Sequence, residues 1–309
     1  MILLRGSKKL TRIKQPTVAT IGNFDGFHLG HQEVFNFVIT KSAQQKAKSV
    51  LICFEPTPKE FFCGSKGPAR IYPIRKKIEL ARDFGYDYFA CLHFNQLLAT
   101  MPAVDFVQEI LHDSLNIKTL VVGDDFKFGH HGNGNIDLLC NMGERLGFHV
   151  HVIKPVLHSH ERVSSTLIRE KLSQGKFDEV ATLLSRPFRM SGRVFHGDKR
   201  GRTIGFPTAN ILIGRLVSPI KGVFTVSACV NNNKWQGVAN VGSRPTVNGQ
   251  RQQLEIHLFD CQQNLYGKRL EVEFHTKLRD EIKFPSLEAL KHQISIDVTK
   301  AQQYFSQRT

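Results

Sequence analysis

No stretch of this chain is apolar for the ~18 residues that a membrane-spanning helix requires; VLICF (50–54) is typical of its longest runs. The opening MILLRGSKKL is too short, and too basic after Leu4, for a secretory signal, so a cytoplasmic location is expected. Cysteines occur at 53, 63, 91, 140, 229 and 261, never as a CxxC pair, which argues against zinc ribbons and redox dithiols. Cys53, Cys91 and Cys229 lie inside apolar runs, and the set reads as reduced, buried and inert. There is no low-complexity tract and no internal repeat. Acidic residues are scarce: 42 Lys plus Arg against 27 Asp plus Glu leave a formal charge of +15. Such a field favours polyanions, whether nucleic acid, an acidic membrane surface or phosphorylated small molecules. The excess divides as 23 − 18 = +5 over residues 1–185 and 19 − 9 = +10 over 186–309, without a basic arm. No nucleic-acid motif or aromatic–basic interleaving accompanies it. Phosphorylated small molecules are therefore the expected partners, with neither nucleic acid nor membrane among them.

What is present changes character part-way along the 309 residues. The first half alternates β-rich apolar runs (17–22, 49–54, 86–94, 119–123, 148–153) with segments of helical spacing such as RKKIELARDFG and AVDFVQEILHDSL. Strands that read as nearly continuous apolar runs suit a parallel sheet covered on both faces. The repeated β-then-α order predicts an open, doubly wound α/β sheet, whose ligands bind at the C-terminal strand ends. Residues 164–184 read as two short helices broken at Gly175. From Phe188 short strands follow one another between Gly, Asn and Pro turns, with NNNK (231–234) as a hairpin signal. This half predicts a small antiparallel barrel or sandwich, closed by a helix from Ser286, its expected N-cap, to about Phe305. The expected boundary is near Ser185–Pro187, giving domains 1–185 and 186–309.

TIGNFDGFHLGH (20–31) concentrates the chemistry. Gly22 ends a strand and Gly26 allows a tight turn before a helix that begins near Leu29. A helix N-terminus offers unpaired N–H groups and a partial positive charge, both suited to phosphate. His28 and His31 fall about one turn apart on the same side and can donate to phosphate oxygens, with Asn23 as a further donor. A metal site would need more ligands than this pair, and no companion His/Glu or Cys pattern is evident.

Strand–GNFDGFHLGH–helix resembles the HxGH signature of the nucleotidyltransferase superfamily. FEPTPKEFF (54–62), VVGDDFKFG (121–129) and RVSSTLIRE (162–170) resemble, in order and spacing, the adenylyltransferase half of bifunctional bacterial riboflavin kinase/FAD synthetases. The resemblance covers essentially the whole chain. It implies an FMN adenylyltransferase in which His28 and His31 are catalytic. Gly22, Asn23, Phe24, Asp25, Gly30, Ser164, Ser165, Thr166 and Arg169 would bind ATP, and Phe54, Phe62, Asp125 and Arg162 the flavin. Physically, SSTLIR supplies hydroxyls and backbone donors at a helix start, although on its own it reads as an ordinary capped helix. Phe54 and Phe62 offer faces for a flat ring, a placement equally common in cores; Asp124 and Asp125 equally suit a turn.

GRTIGFPTAN (201–210) has no GK[ST] and is not a Walker A loop, yet Thr208 and Asn210 can present oxygen to a hard cation. Followed by GVFTV and GVANVGSRPTV, it is similar to the GxPTAN motif of riboflavin kinases. The resemblance implies Mg²⁺ at Thr208 and Asn210, with Gly205, Pro207 and Arg279 at the nucleotide and flavin; Lys199, Arg200 and Arg202 stand near for phosphates. Along LEIHLFD, Leu254, Ile256 and Leu258 share one face while Glu255, His257 and Phe259 share the other. That pattern alone makes Glu255 a solvated residue, and alone Arg279 is a surface charge; the resemblance makes Glu255 the catalytic base. The expected substrates and products are ATP, riboflavin, FMN and FAD. Two segments depart from the family pattern: GHHGNGN (129–135), and YPIRKK (72–77), which lacks the usual Leu-Thr start.

Overall fold

The computed structural model describes residues 1–6, 13–196, 205–214, 217–231, 233–246 and 249–308. The chain divides into two compact units, Met1–Pro68 with Tyr72–Ser165, and Ala69–Ile71 with Thr166–Thr309.

The apolar runs of the first unit become six parallel strands: β1 (Ile2–Gly6), β2 (Thr17–Ile21), β3 (Lys48–Glu55), β4 (Tyr88–His93), β5 (Ile117–Gly123) and β6 (His149–Ile153), in the order β1-β4-β3-β2-β5-β6. Between them lie α1 (Leu29–Gln44), α2 (Pro58–Cys63), α3 (Ile74–Asp83), α4 (Gln96–Ala99), α5 (Ala103–Asp105, continued in wider turns over Phe106–Ser114) and α6 (Ile136–Leu146). Val50, Ile52, Ala19 and Leu120 of the central strands are fully buried with Val107 and Leu111. Each such Val, Leu or Ile contributes about 1.5–3 kcal/mol by leaving water. Caps set the helix ends: Asn135 Oδ1 accepts from Leu138 N at 2.9 Å before α6, and Gly147 stops it at φ 76°. The strand succession runs outward from β2 through β3 to β4, then restarts on the other side with β5 and β6. The gap between β2 and β5 is therefore the switch point at which such sheets bind ligands.

A short hairpin, β7 (Leu157–His158) with β8 (Glu161–Arg162), precedes α7 (Ser165–Ser173). Gly175, at φ 75°, then breaks the chain before α8 (Phe177–Leu184). In the second unit β9 (Arg189–Phe195), β10 (Ala209–Gly214), β11 (Gly222–Val230), β12 (Asn233–Thr246), β13 (Gly249–Leu258) and β14 (Arg269–Arg279) close into an antiparallel barrel, β10-β13-β12-β11-β14-β9. The choice left open between barrel and sandwich is thus settled, because β9 pairs with both β10 and β14. Leu254 and Ile256 are fully buried opposite Ile211, Ala209, Val241 and Ala239. The last helix, α9 (Leu287–Ser306), is capped by Ser286 Oγ accepting from Ala289 N at 3.1 Å, and packs Val298 and Ala301 on Val223 and Val238.

No helix among the described residues is long and apolar enough to cross a membrane. All six cysteines are free, but of the set expected to be buried only Cys53 is; Cys91, Cys229 and Cys261 are partly exposed, and Cys63 and Cys140 are exposed. Cys140 lies outside the buried set of α6, which is Leu139, Met142 and Gly143. Burial pushes the Cys53 thiol up to about 12, which keeps it protonated and inert.

Candidate active sites

At the β2/β5 switch point lies a cleft of about 310 Å³. Gly22, Asn23, Phe24, Asp25, His28, Gly30 and His31 line it together with Asp125, Arg162, Ser164 and Ser165. The turn into α1 is conformationally demanding: Phe24 (φ 41°), Gly26 (φ 94°) and Phe27 (φ 50°) all occupy the left-handed region. Aromatic packing holds it, with Phe24 and Phe27 buried against Phe35 at 5.0 and 4.7 Å between ring centroids. A Cβ on Gly22 would stand 3.0 Å from the Phe24 ring, a tight contact that only a small shift of that ring would relieve.

His28 is the N-cap of α1, and its Nδ1 accepts from His31 N at 3.4 Å. That bond makes Nδ1 an acceptor, which in a neutral ring places the proton on Nε2. The His28 and His31 rings stack at 3.6 Å and 20°, and Phe24 meets the edge of His31 at 5.2 Å. Ser165 Oγ donates to the Asp25 carbonyl at 2.8 Å, which ties the first residue of α7 to the opening turn. Arg162 Nη2 reaches both Asp124 (3.1 Å) and Asp125 (3.0 Å); these exposed pairs contribute little to stability.

Other expected residues lie elsewhere. Phe54 packs edge-on to Phe94 at 5.7 Å, and Phe62, 67% exposed, meets Phe94 at 5.8 Å. They form an aromatic cluster at the C-terminal ends of β3 and β4, outside the lining of the cleft. Thr166 and Arg169 belong to the second unit, where Arg169 Nε donates to the Ala69 carbonyl at 2.5 Å. Sequence reasoning missed Lys154, which lines the cleft, and Thr20, whose buried Oγ1 has no hydrogen-bond partner among the described residues. It also missed Lys77, which is 1% exposed and donates to the Asn23 carbonyl at 2.7 Å. The available signal was a lysine at the inward spacing of α3, three and four residues before Leu80 and Ala81.

In the barrel, strand register sets Arg279, Val223, Asn240, Glu255 and Asn210 in one cross-strand row. Directly paired residues project to the same face, so Glu255 lies between two asparagines. Asn210 is buried and its Oδ1 accepts from Gln253 Nε2; Asn240 Oδ1 is buried without a hydrogen-bond partner among the described residues. Pro207 and Thr208 line a separate cleft of about 450 Å³ with Ile256, Leu258 and Tyr266, whose ring stacks on His196 at 3.8 Å. Gly205 is exposed at φ 89°. Arg279 is committed to the last helix: Nε and Nη2 reach Asp297 Oδ2 at 2.9 and 2.8 Å, and the guanidinium stands 5.6 Å over Phe284. Lys199, Arg200, Gly201 and Arg202 lie outside the described residues.

Residues 10–167 match the FAD synthetase family and residues 184–305 the riboflavin kinase family. A bifunctional riboflavin kinase/FMN adenylyltransferase of Haemophilus influenzae is 43% identical over 99% of this chain and 100% of its own. Relatives of the same name from Escherichia coli K12 and Pseudomonas fluorescens are 40% and 44% identical, each over at least 97% of both chains. The chain belongs to the bifunctional riboflavin kinase/FMN adenylyltransferase family. Its FAD synthetase domain comes first and its riboflavin kinase domain is the C-terminal part. A crystal structure titled a macrolide-efflux protein from Streptococcus pneumoniae superposes with a TM-score of 0.81, at 28% identity over 96% of this chain and 97% of that one. As a member of this two-activity family, the chain takes riboflavin, FMN and ATP as substrates.

Proposed function

We propose that the two reactions run on separate residue sets, in domains 1–185 and 186–309, with a cytoplasmic location as the sequence leads one to expect. In the first domain a phosphate oxygen of FMN attacks the α-phosphorus of ATP, forming FAD and releasing pyrophosphate. The observation that carries this reading is the stacked His28–His31 pair at the switch-point cleft, with two helix starts on its walls. His28 and His31 donate hydrogen bonds to the reacting phosphate and the departing pyrophosphate, where charge accumulates. Gly22, Asn23, Phe24, Asp25, Gly30, Ser164 and Ser165 shape the nucleotide site, with Thr166 and Arg169 further along the same helix. Asp125 and Arg162 contact the flavin nucleotide, and Phe54 and Phe62 offer it a ring platform.

In the second domain Glu255 accepts the proton of riboflavin's primary hydroxyl as that oxygen attacks the γ-phosphorus of ATP. Thr208 and Asn210 would hold Mg²⁺. The donor set fits: it is all oxygen, and this cation keeps most of its ligands as water and phosphate, so one or two side chains suffice. When bound, it would neutralise charge on the nucleotide phosphates. Gly205 and Pro207 shape the nucleotide loop, and Arg279 borders the row that holds Glu255. The test is a time course of riboflavin, ATP and Mg²⁺ with the purified chain, resolved by chromatography. FMN should rise first and FAD follow; the absence of any flavin product from folded, ATP-binding protein overturns the reading.

A further inference from the structure

An ammonium buried to 1% exposure is costly unless polar partners surround it, and a methionine of similar volume is the ordinary occupant of such a core position. Lys77 carries that charge on the inward face of α3, directly beneath the turn that leads into α1. Its Nζ donates to the Asn23 carbonyl at 2.7 Å and stands 4.0 Å from Asp25 Oδ1. Asp25 is itself buried, and the same Oδ1 accepts from Tyr72 N at 3.0 Å. The YPIRKK segment, which departs from the family pattern at its start, thus clamps the opening turn twice, through the Tyr72 N–H and through Lys77.

The consequence follows from peptide geometry. In a trans peptide the carbonyl and the following N–H point in opposite directions. Drawing the Asn23 carbonyl toward Lys77 turns the Phe24 N–H away from it. Among the described residues neither the Asn23 nor the Phe24 N–H has a hydrogen-bond acceptor. Successive free N–H groups in a turn of this kind form a concave anion site. The same turn holds two non-glycine residues at positive φ, a conformation that persists only where surrounding contacts over-determine it.

We propose that Lys77 is a positioning residue for adenylyl transfer: its buried ammonium holds Asn23 and Asp25 so that the Phe24 N–H and the His28–His31 pair are aimed at the phosphates in the cleft. This rests on the assignment of that cleft as the adenylyltransferase site.

The test uses the full chain with FMN, ATP and Mg²⁺, and follows FAD formation. Riboflavin phosphorylation by the same chain serves as an internal control, and melting curves report folding. Lys77→Met keeps the volume and removes the donor; Lys77→Gln keeps an N–H donor for the Asn23 carbonyl. The expected result is a loss of about 100-fold in kcat for Lys77→Met with KM for FMN within threefold of wild type. Lys77→Gln should recover at least tenfold of that loss, and phosphorylation should be unchanged in both. A role limited to filling space predicts that Lys77→Met is fully active and at least as stable as wild type. Adenylylation by Lys77→Met within threefold of wild type overturns the proposal. Should Lys77→Met unfold the domain, Lys77→Gln carries the test alone: a folded Gln variant with no more adenylylation than His28→Ala overturns it. His28→Ala separates the two levels of argument. If that variant keeps full adenylylation, the site assignment itself fails, whatever Lys77 does.

Discussion

His28 performs two jobs that substitution can separate. As N-cap it accepts the His31 N–H through Nδ1; in the proposed adenylyltransferase site it would also present Nε2 to a phosphate. Replacing it with alanine removes both. Loss of the cap costs about 1 kcal/mol, which for a unit of this size lowers its melting temperature by roughly 2–4 °C. Loss of a donor aimed at charge developing in the transition state costs about 2.7–4 kcal/mol, or 10²–10³-fold in kcat. His28→Asn retains the cap, since asparagine is among the best N-cap residues, but its short side chain cannot place a donor where Nε2 stands. The assay is FAD formation from FMN and ATP, with riboflavin phosphorylation measured on the same preparations. Both variants should lose adenylylation 10²–10³-fold, only His28→Ala should melt early, and phosphorylation should hold. If His28→Asn restores adenylylation, His28 is a cap alone and the phosphate role is refuted.

Two further expectations concern the second domain. Arg279→Ala strands Asp297, only 2% exposed, without its guanidinium, although Gln293 still donates to it at 3.0 Å. Breaking a buried pair from one side costs about 3–5 kcal/mol, so chemical denaturation should show a loss of that order, largely relieved in Arg279→Met/Asp297→Leu. His275 is held below the ordinary imidazole value, chiefly by burial, with Arg308 and Arg189 acting alike and Glu273 and Asp178 opposing. Below about pH 6.5 the unfolded chain therefore binds more protons than the folded one, and stability is lost as pH falls toward the depressed folded value. Melting at pH 7.5 and 5.5 should show a larger drop for wild type than for His275→Gln; equal drops would contradict this.

The parallel sheet was legible because its strands are buried on both faces and so read as unbroken apolar runs, as SVLICF does in β3. The barrel was legible in outline from short strands between Gly, Asn and Pro turns, and the alternation around Glu255 recurs as buried Leu254 and Ile256. β1 went unread because it lies at the sheet edge, with exposed Ile2 and Leu3. β10 went unread because it begins inside a motif read only for its oxygen donors, where Asn210 is a strand residue paired with Glu255. His28 and His31 stood out because local spacing suffices to bring them together. Lys77 depends on a contact 54 residues away, and charged residues on helices ordinarily face water. The attachment of Arg279 to Asp297 likewise needs the docked last helix, which no pattern around KLRDEIKF encodes.

The central proposal is that phosphorylation and adenylyl transfer use separate residues of the chain, so that FMN made by one copy can be adenylylated by another. Chains carrying Glu255→Gln and chains carrying His28→Ala, each folded, are supplied with riboflavin, ATP and Mg²⁺ alone and then mixed. Separately, the first should yield no FMN and the second should stop at FMN. Together they should make FAD, after a lag while FMN accumulates. FAD from either variant alone, or none from the mixture, would contradict the account.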